Sequence, residues 1–217
     1  MSGRRLGILG GTFDPIHCGH VETAAAAVRA LDLSGVFVIP ASLPPHRSEP
    51  FASAFHRFAM VAMAVAGRPG WLASDVEVSV KQAPSFTVDT LRRFHDRRYH
   101  ATELFFIAGA DAFMEIGTWR EYPAVLDLAH FAVVSRPGTA AGQLRDRLPA
   151  LAGRMVDAAA LQIPDRTAII LIDAPTPDVS STAVRRRVAK GETVAGMVPA
   201  GVLQHIEQHG LYLRENH

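Results

Sequence analysis

The stretch Gly10-Gly11-Thr12-Phe13-Asp14-Pro15-Ile16-His17-Cys18-Gly19-His20 follows directly on the apolar run Leu6-Gly7-Ile8-Leu9, and two chemistries compete to explain it. His17, Cys18 and His20 are of metal-ligand type, and a structural zinc site needs four such groups. Cys18 is the single cysteine, there is no His-Glu-x-x-His and no neighbouring Cys/His pair, so no metal site is expected here. A phosphate site uses more of the stretch. Gly10 and Gly11 remove side chains where the chain leaves a strand, so that backbone N–H groups can approach an anion. His17 and His20, three apart, meet on the first turn of a helix whose dipole favours negative charge, and each imidazole can donate to a phosphate oxygen. Cys18 then serves as a small spacer. The pattern is neither G-x-G-x-x-G nor G-x-x-x-x-G-K-[ST], which disfavours a dinucleotide-dependent oxidoreductase and a P-loop NTPase.

A second cluster, Val179-Ser180-Ser181-Thr182-Ala183-Val184-Arg185, lies near the other end of the chain. Taken alone, Ser180-Ser181-Thr182 is an ordinary helix N-cap. Asp14, inside the first stretch, suits either a turn beside Pro15 or a magnesium ligand.

The elements that must position these residues follow from periodicity. Strand-like runs recur at Arg5–Leu9, Gly35–Pro40, Val76–Val80, Glu103–Ala108, Phe131–Ser135 and Ala168–Asp173, most of them separated by helix-length segments. Helices are expected over His20–Leu31, over Ala54–Ala66 with Phe55, Phe58, Ala59, Ala62 and Ala66 facing the core, over Thr87–Arg98 with Val88, Leu91 and Phe94 inward, and over Val198–Leu213. The alternation predicts an α/β, Rossmann-like fold: a mostly parallel open sheet with helices on both faces and a short C-terminal helical extension. Residues 1–217 are expected to form a single domain, with 180–217 as the helical extension carrying the second cluster. In such a sheet ligands bind beyond the strand C-termini. There stand Gly10–His20, Pro44-Pro45-His46-Arg47, Gly109-Ala110-Asp111 and Arg136-Pro137-Gly138.

Composition narrows the class. With 48% hydrophobic and 20% charged residues and a formal net charge of +1, the near balance of charge gives no electrostatic warrant for nucleic-acid or membrane binding. The longest apolar run, Phe58 to Ala66, is far below the ~20 residues of a spanning helix. The N-terminus lacks a secretory pattern, and one cysteine suits a reducing compartment, so a cytoplasmic protein is expected. Oligomeric state is left open, a homo-oligomer included.

Together the two clusters carry a resemblance. Gly10 to His20, with its H-x-G-H element, is similar to the N-terminal signature of the nucleotidyltransferase superfamily, and Ser180 to Arg185 is similar to that family's second signature. Pro44–Arg47, Pro84–Leu91, Phe106–Asp111, Trp119–Tyr122, Ser135–Gly138 and the ending from Val198-Pro199 through Gly210–Tyr212 narrow the resemblance to the bacterial nicotinate-nucleotide adenylyltransferases, over essentially the whole chain.

The resemblance implies transfer of the adenylyl group of ATP to nicotinate mononucleotide, with Mg2+ accompanying ATP. It implies His17, His20 and Arg185 as catalytic groups. Gly10, Gly11, Thr12, Phe13, His17, His20, Gly109, Ser181, Thr182 and Arg185 would bind ATP, with Ser181 and Thr182 capping a helix. His46, Arg47, Thr87, Asp111, Trp119, Arg120 and Arg136 would bind the mononucleotide, Trp119 by stacking on its pyridine ring. Two departures are Arg47, where many relatives carry Lys, and Arg120, where some carry an aromatic. The competing readings are another small-molecule nucleotidyltransferase, of pantetheine-phosphate or glycerol-phosphate type, a non-catalytic nucleotide-binding protein, and a metal-binding module on His17 and His20.

Overall fold

Among the described residues, seven strands build one sheet: β1 (Leu6–Gly11), β2 (Gly35–Pro40), β3 (Trp71–Ala73), β4 (Leu104–Gly109), β5 (His130–Val134), β6 (Met155–Asp157) and β7 (Ile169–Ile172). The computed structural model describes residues 4–44, 49–79, 84–160 and 165–213. The strand order is β3-β2-β1-β4-β5-β7-β6, and every neighbouring pair is parallel. The chain runs outward from β1 through β2 to β3, then returns to add β4 on the other side of β1. That reversal opens a crevice beyond the C-terminal ends of β1 and β4, where an open parallel sheet binds ligands.

The helices are α1 (Cys18–Leu31), α2 (Ala54–Val65), α3 (Thr87–Asp96), α4 (Ala110–Phe113), α5 (Leu144–Arg147), α6 (Ser181–Ala189) and α7 (Ala200–Gln208). They cover both faces of the sheet, which is why the strands read as continuous apolar runs. Successive side chains of a strand point to opposite faces. Thus Phe105 and Ile107 of β4 join one buried layer with α1, α2, α6 and α7, while Phe106 and Ala108 join the other with α3, α4 and α5. In α1 the buried run Ala24 to Ala27 brings small side chains to the sheet, and Asp32, left-handed at φ 50°, ends the helix.

Two expectations need correction, and one short strand was not expected. The strand expected at Val76–Val80 lies instead at Trp71–Ala73; residues 76–79 form turns, with the Ser79 amide on the Asp75 carbonyl, and Val80 lies outside the described residues. Val76 and Glu77 satisfy the apolar reading by burial rather than by sheet pairing. The edge strand β6, three residues between 3-10 turns, was too short to show a period. In α2 the buried face is Arg57, Met60, Val61, Ala64 and Val65, whereas Phe55 is 74% exposed and Ala66 is exposed. No helix among the described residues is long and apolar enough to cross a membrane.

Candidate active site

A cleft of about 400 Å3 opens at the β1/β4 reversal. One wall is the turn after β1, with Gly10, Gly11, Thr12, Phe13 and His20; Gly109, Asp111 and Arg136 stand beside it, and Ser181 enters from α6. The far end is lined by Glu77, Phe86, Thr87, Trp119 and Arg120. The turn thus meets both of its expected neighbours. His46 and Arg47 lie outside the described residues.

The turn is shaped by packing. Phe13 is buried at φ 51°, and a Cβ on Gly11 would stand 2.9 Å from its ring, so a side chain there is excluded. Gly10 is under no such constraint, since a Cβ there would make only ordinary contact with Phe106. His17 is the N-cap of α1, which starts two residues before the expected His20, and its amide donates to His20 Nδ1 at 3.3 Å. The two imidazoles stack with centroids 3.7 Å apart, and the edge of Phe13 meets His20 at 5.0 Å. His17 therefore backs His20 rather than lining the cleft beside it. Burial, reinforced by the Arg136 charge, lowers the His17 pKa to about 4, so its ring is neutral near pH 7. The Cys18 amide donates to the Met197 carbonyl at 2.8 Å, tying the start of α1 to the segment before α7. The Cys18 thiol is raised in pKa by burial, consistent with a spacer.

Arg136 lies over this turn, with Nη1 3.4 Å from the Gly19 carbonyl and Nη2 3.4 Å from the Val179 carbonyl. A Cβ on Gly19 would approach Nη1 and the His17 ring to 3.0 Å, so a side chain there would press the guanidinium and the ring aside by a few tenths of an ångström. Arg136, expected at the acceptor nucleotide, stands between the histidine-bearing turn and the segment that leads into α6.

The second cluster reaches the first through backbone carbonyls. Ser181 Oγ donates to the Pro15 carbonyl at 2.9 Å, and Arg185 Nη1 donates to the Asp14 carbonyl at 2.7 Å. The cap of α6 is Ser180, whose Oγ accepts from the Ala183 amide at 3.1 Å; this corrects the expectation that Ser181 and Thr182 cap it. Thr182 accepts from Arg185 Nη2 at 3.4 Å, and the Arg185 guanidinium covers the Phe51 ring at 4.6 Å. Thr182 and Arg185 do not line the cleft.

Three residues that the sequence reading passed over or left undecided hold the site. Asp14 is buried and accepts from the Phe51 amide (2.8 Å), the Ala52 amide (3.0 Å) and the Tyr212 hydroxyl (2.8 Å). Arg57, 1% exposed, donates to the carbonyls of Thr12, Ala41, Ser42 and Ala52. Burial lowers its pKa and the Asp14 charge opposes that. Glu77 accepts from Thr90 Oγ1 at the cleft wall, and burial raises its pKa. An alternating Val-Glu-Val-Ser-Val segment could have hinted at Glu77; nothing local marks Arg57.

At the far end Trp119 presents its ring edge-on to Phe106 at 5.7 Å, and the Arg120 guanidinium lies 4.6 Å over Phe86 and 3.5 Å from Asp89. Phe86, the N-cap of α3, gives that helix no side-chain cap, so its first turn presents backbone donors beside Thr87. The arrangement offers a basic, imidazole-bearing cradle at one end and an aromatic slot with a helix N-terminus at the other.

Residues 8–187 match the cytidylyltransferase-like family. A probable nicotinate-nucleotide adenylyltransferase of Desulfatibacillum aliphaticivorans is 42% identical over 219 residues, covering 96% of this chain and all of that one. One from Roseiflexus sp. (strain RS-1) is 43% identical over 213 residues, 98% of this chain and all of its own. The solved structure of Plasmodium falciparum nicotinic acid mononucleotide adenylyltransferase complexed with NaAD superposes with a TM-score of 0.68 at 17% identity, over 99% of this chain and all of that one, a likeness of fold.

Proposed function

The chain belongs to the cytidylyltransferase-like family, and from its full-length likeness to nicotinate-nucleotide adenylyltransferases we propose that it transfers the adenylyl group of ATP to nicotinate mononucleotide, forming nicotinate adenine dinucleotide and pyrophosphate. The observation that carries the residue assignment is the union of the two clusters: Ser181 and Arg185 donate to Pro15 and Asp14, inside the first one, across most of the chain.

The reaction is a direct in-line displacement. A phosphate oxygen of nicotinate mononucleotide forms a bond to the α-phosphorus of ATP as the bond to the bridging oxygen breaks, and pyrophosphate leaves with that electron pair. The protein's part is to position and to stabilise charge. Gly10 to Phe13 line the junction of the substrates, and Gly109 lies beside it. His17 orients His20, whose ring faces the phosphates. Ser181 brings the start of α6 to the same place, where backbone donors and the helix dipole favour anions. Arg136 supplies a forked cation above the turn. Thr182 and Arg185 brace the turn, and a phosphate role for Arg185 rests on the resemblance. Asp111 accepts from a ribose hydroxyl. Trp119 stacks on the pyridine ring, and the backbone around Thr87 and Arg120 receives its carboxylate. His46 and Arg47 complete the mononucleotide phosphate site on the resemblance alone.

The cleft suits Mg2+ as part of the Mg·ATP substrate rather than as a resident ion. The Asp14 carboxylate is buried and engaged by two amides and a hydroxyl, and Glu77 is engaged with Thr90, so neither is placed to cage it. When bound, the ion neutralises phosphate charge.

The test is pyrophosphate release from Mg·ATP with nicotinate or nicotinamide mononucleotide. Release that is fast with the nicotinate form supports the reading. Release with neither contradicts an adenylyltransferase, and release with the nicotinamide form alone contradicts the carboxylate site. We take residues 1–217 as one domain, an assignment supported by the single sheet.

A further inference from the structure

On the side of the sheet that carries α2 and α7, His56, His205 and His209 each place one ring nitrogen within 4.8 Å of the others. His205 and His209 are one turn apart on one face of α7 and at its end, and His56 faces them from α2. His56 Nδ1 and His205 Nε2 are 3.1 Å apart, and the His209 ring centroid lies 4.4 Å from that of His205 and 4.9 Å from that of His56.

Tetrahedral coordination at 2.0–2.1 Å would set two imidazole nitrogens about 3.3 Å apart. The His56–His205 pair, at 3.1 Å, is already near that separation, and the ring of exposed His209 stands beside both, its ligand nitrogen within 4.8 Å of theirs. Among the described residues, this is the group of His, Cys, Asp or Glu side chains whose ligand atoms converge in this way; His17, Cys18 and His20 do not form one. We propose that these three imidazoles bind a divalent transition-metal ion of the zinc class, with the fourth position open to water. Three nitrogens with no thiolate or carboxylate select zinc, cobalt, nickel or copper over magnesium. The ion would clamp α2 to α7. His56 precedes Arg57, which holds the carbonyls of Thr12, Ala41 and Ser42, so the clamp would stiffen the scaffold behind the cleft without entering it.

The test is a titration of tag-free, chelator-stripped, full-length protein with Co2+, followed by competition with Zn2+. About one equivalent of Co2+ per chain is expected, with visible absorption bands of histidine-bound cobalt that Zn2+ bleaches, and with a higher melting temperature in Zn2+. His209→Ala and His56→Gln, each confirmed as folded by circular dichroism, are expected to abolish the bands, whereas His20→Ala is expected to keep them. Absence of binding by the parent protein overturns the proposal. So do bands that persist in both cluster variants, or that vanish in His20→Ala, because either result puts the metal elsewhere.

Discussion

Tyr212 donates its hydroxyl to the Asp14 carboxylate over 2.8 Å, joining residues 198 positions apart. Burial and the Asp14 charge push the Tyr212 pKa far up, so the phenol stays protonated and serves only as a donor. The end of the chain thereby helps hold the turn that carries His17 and His20. Tyr212→Phe removes one of the three donors to a buried carboxylate, which should cost about 1.5–3 kcal/mol of stability. Thermal melts compared with the parent check this, and an unchanged melting temperature would contradict the clamp.

Arg57 is the other support of the turn. Arg57→Met would leave the carbonyls of Thr12, Ala41, Ser42 and Ala52 without their shared donor, and each buried orphan costs roughly 1–3 kcal/mol. A loss of at least ~3 kcal/mol is expected by urea unfolding. Arg57→Lys should rescue little of it, because an ammonium lacks the planar fork that reaches several carbonyls at once.

His20 lines the cleft and His17 supports it from behind. His20→Ala is expected to lower kcat by at least ~100-fold with a native circular dichroism spectrum, as for a group that stabilises charge in the transition state. His17→Ala should lower both kcat and the melting temperature, since the buried ring stacked on His20 is lost. Parent-like turnover in His20→Ala would refute its role.

Stability should fall in mild acid. His17 and His130 both have folded pKa values lowered from 6.5 to about 4, chiefly by burial. Each unfolded ring therefore takes a proton first. The stabilising contribution of each neutral ring is complete above about pH 6.5 and is lost as pH falls through about 4, amounting to roughly 3 kcal/mol apiece. His130 Nδ1 accepts from the Ala168 amide at 3.2 Å, which also requires an unprotonated nitrogen. Unfolding free energy measured from pH 7 to pH 4 should drop steeply, and His130→Gln should make the slope shallower by about one proton.

Trp119 and Arg120 mark the end of the cleft assigned to the pyridine ring. Trp119→Ala should raise KM for nicotinate mononucleotide about tenfold or more while leaving KM for ATP within a factor of two, since removing one base-stacking aromatic costs ~1–3 kcal/mol. Steady-state kinetics with each substrate varied in turn make the distinction. Equal effects on both KM values would move the pyridine site elsewhere.

Residue type and period made much of this protein legible before any fold was known. The apolar runs of β1, β2, β4, β5 and β7 identify strands buried on both faces, and the run Gly10 to His20 identifies a glycine-histidine turn that leads from a strand into a helix, because in each case the relevant interactions are local. The supports of that turn were not legible. Asp14 offered only a turn or a metal ligand until the fold set Phe51, Ala52 and Tyr212 around it. Arg57 lay within an apolar helix and gave no local sign that it would be buried under four carbonyls. Even Arg185, read as a phosphate ligand, is aimed at the Asp14 carbonyl. A strand period or a glycine-histidine turn is dictated within a few residues by backbone geometry. The partner of a buried charge is dictated by which distant carbonyls the folded chain leaves without a donor, and only the tertiary structure decides that.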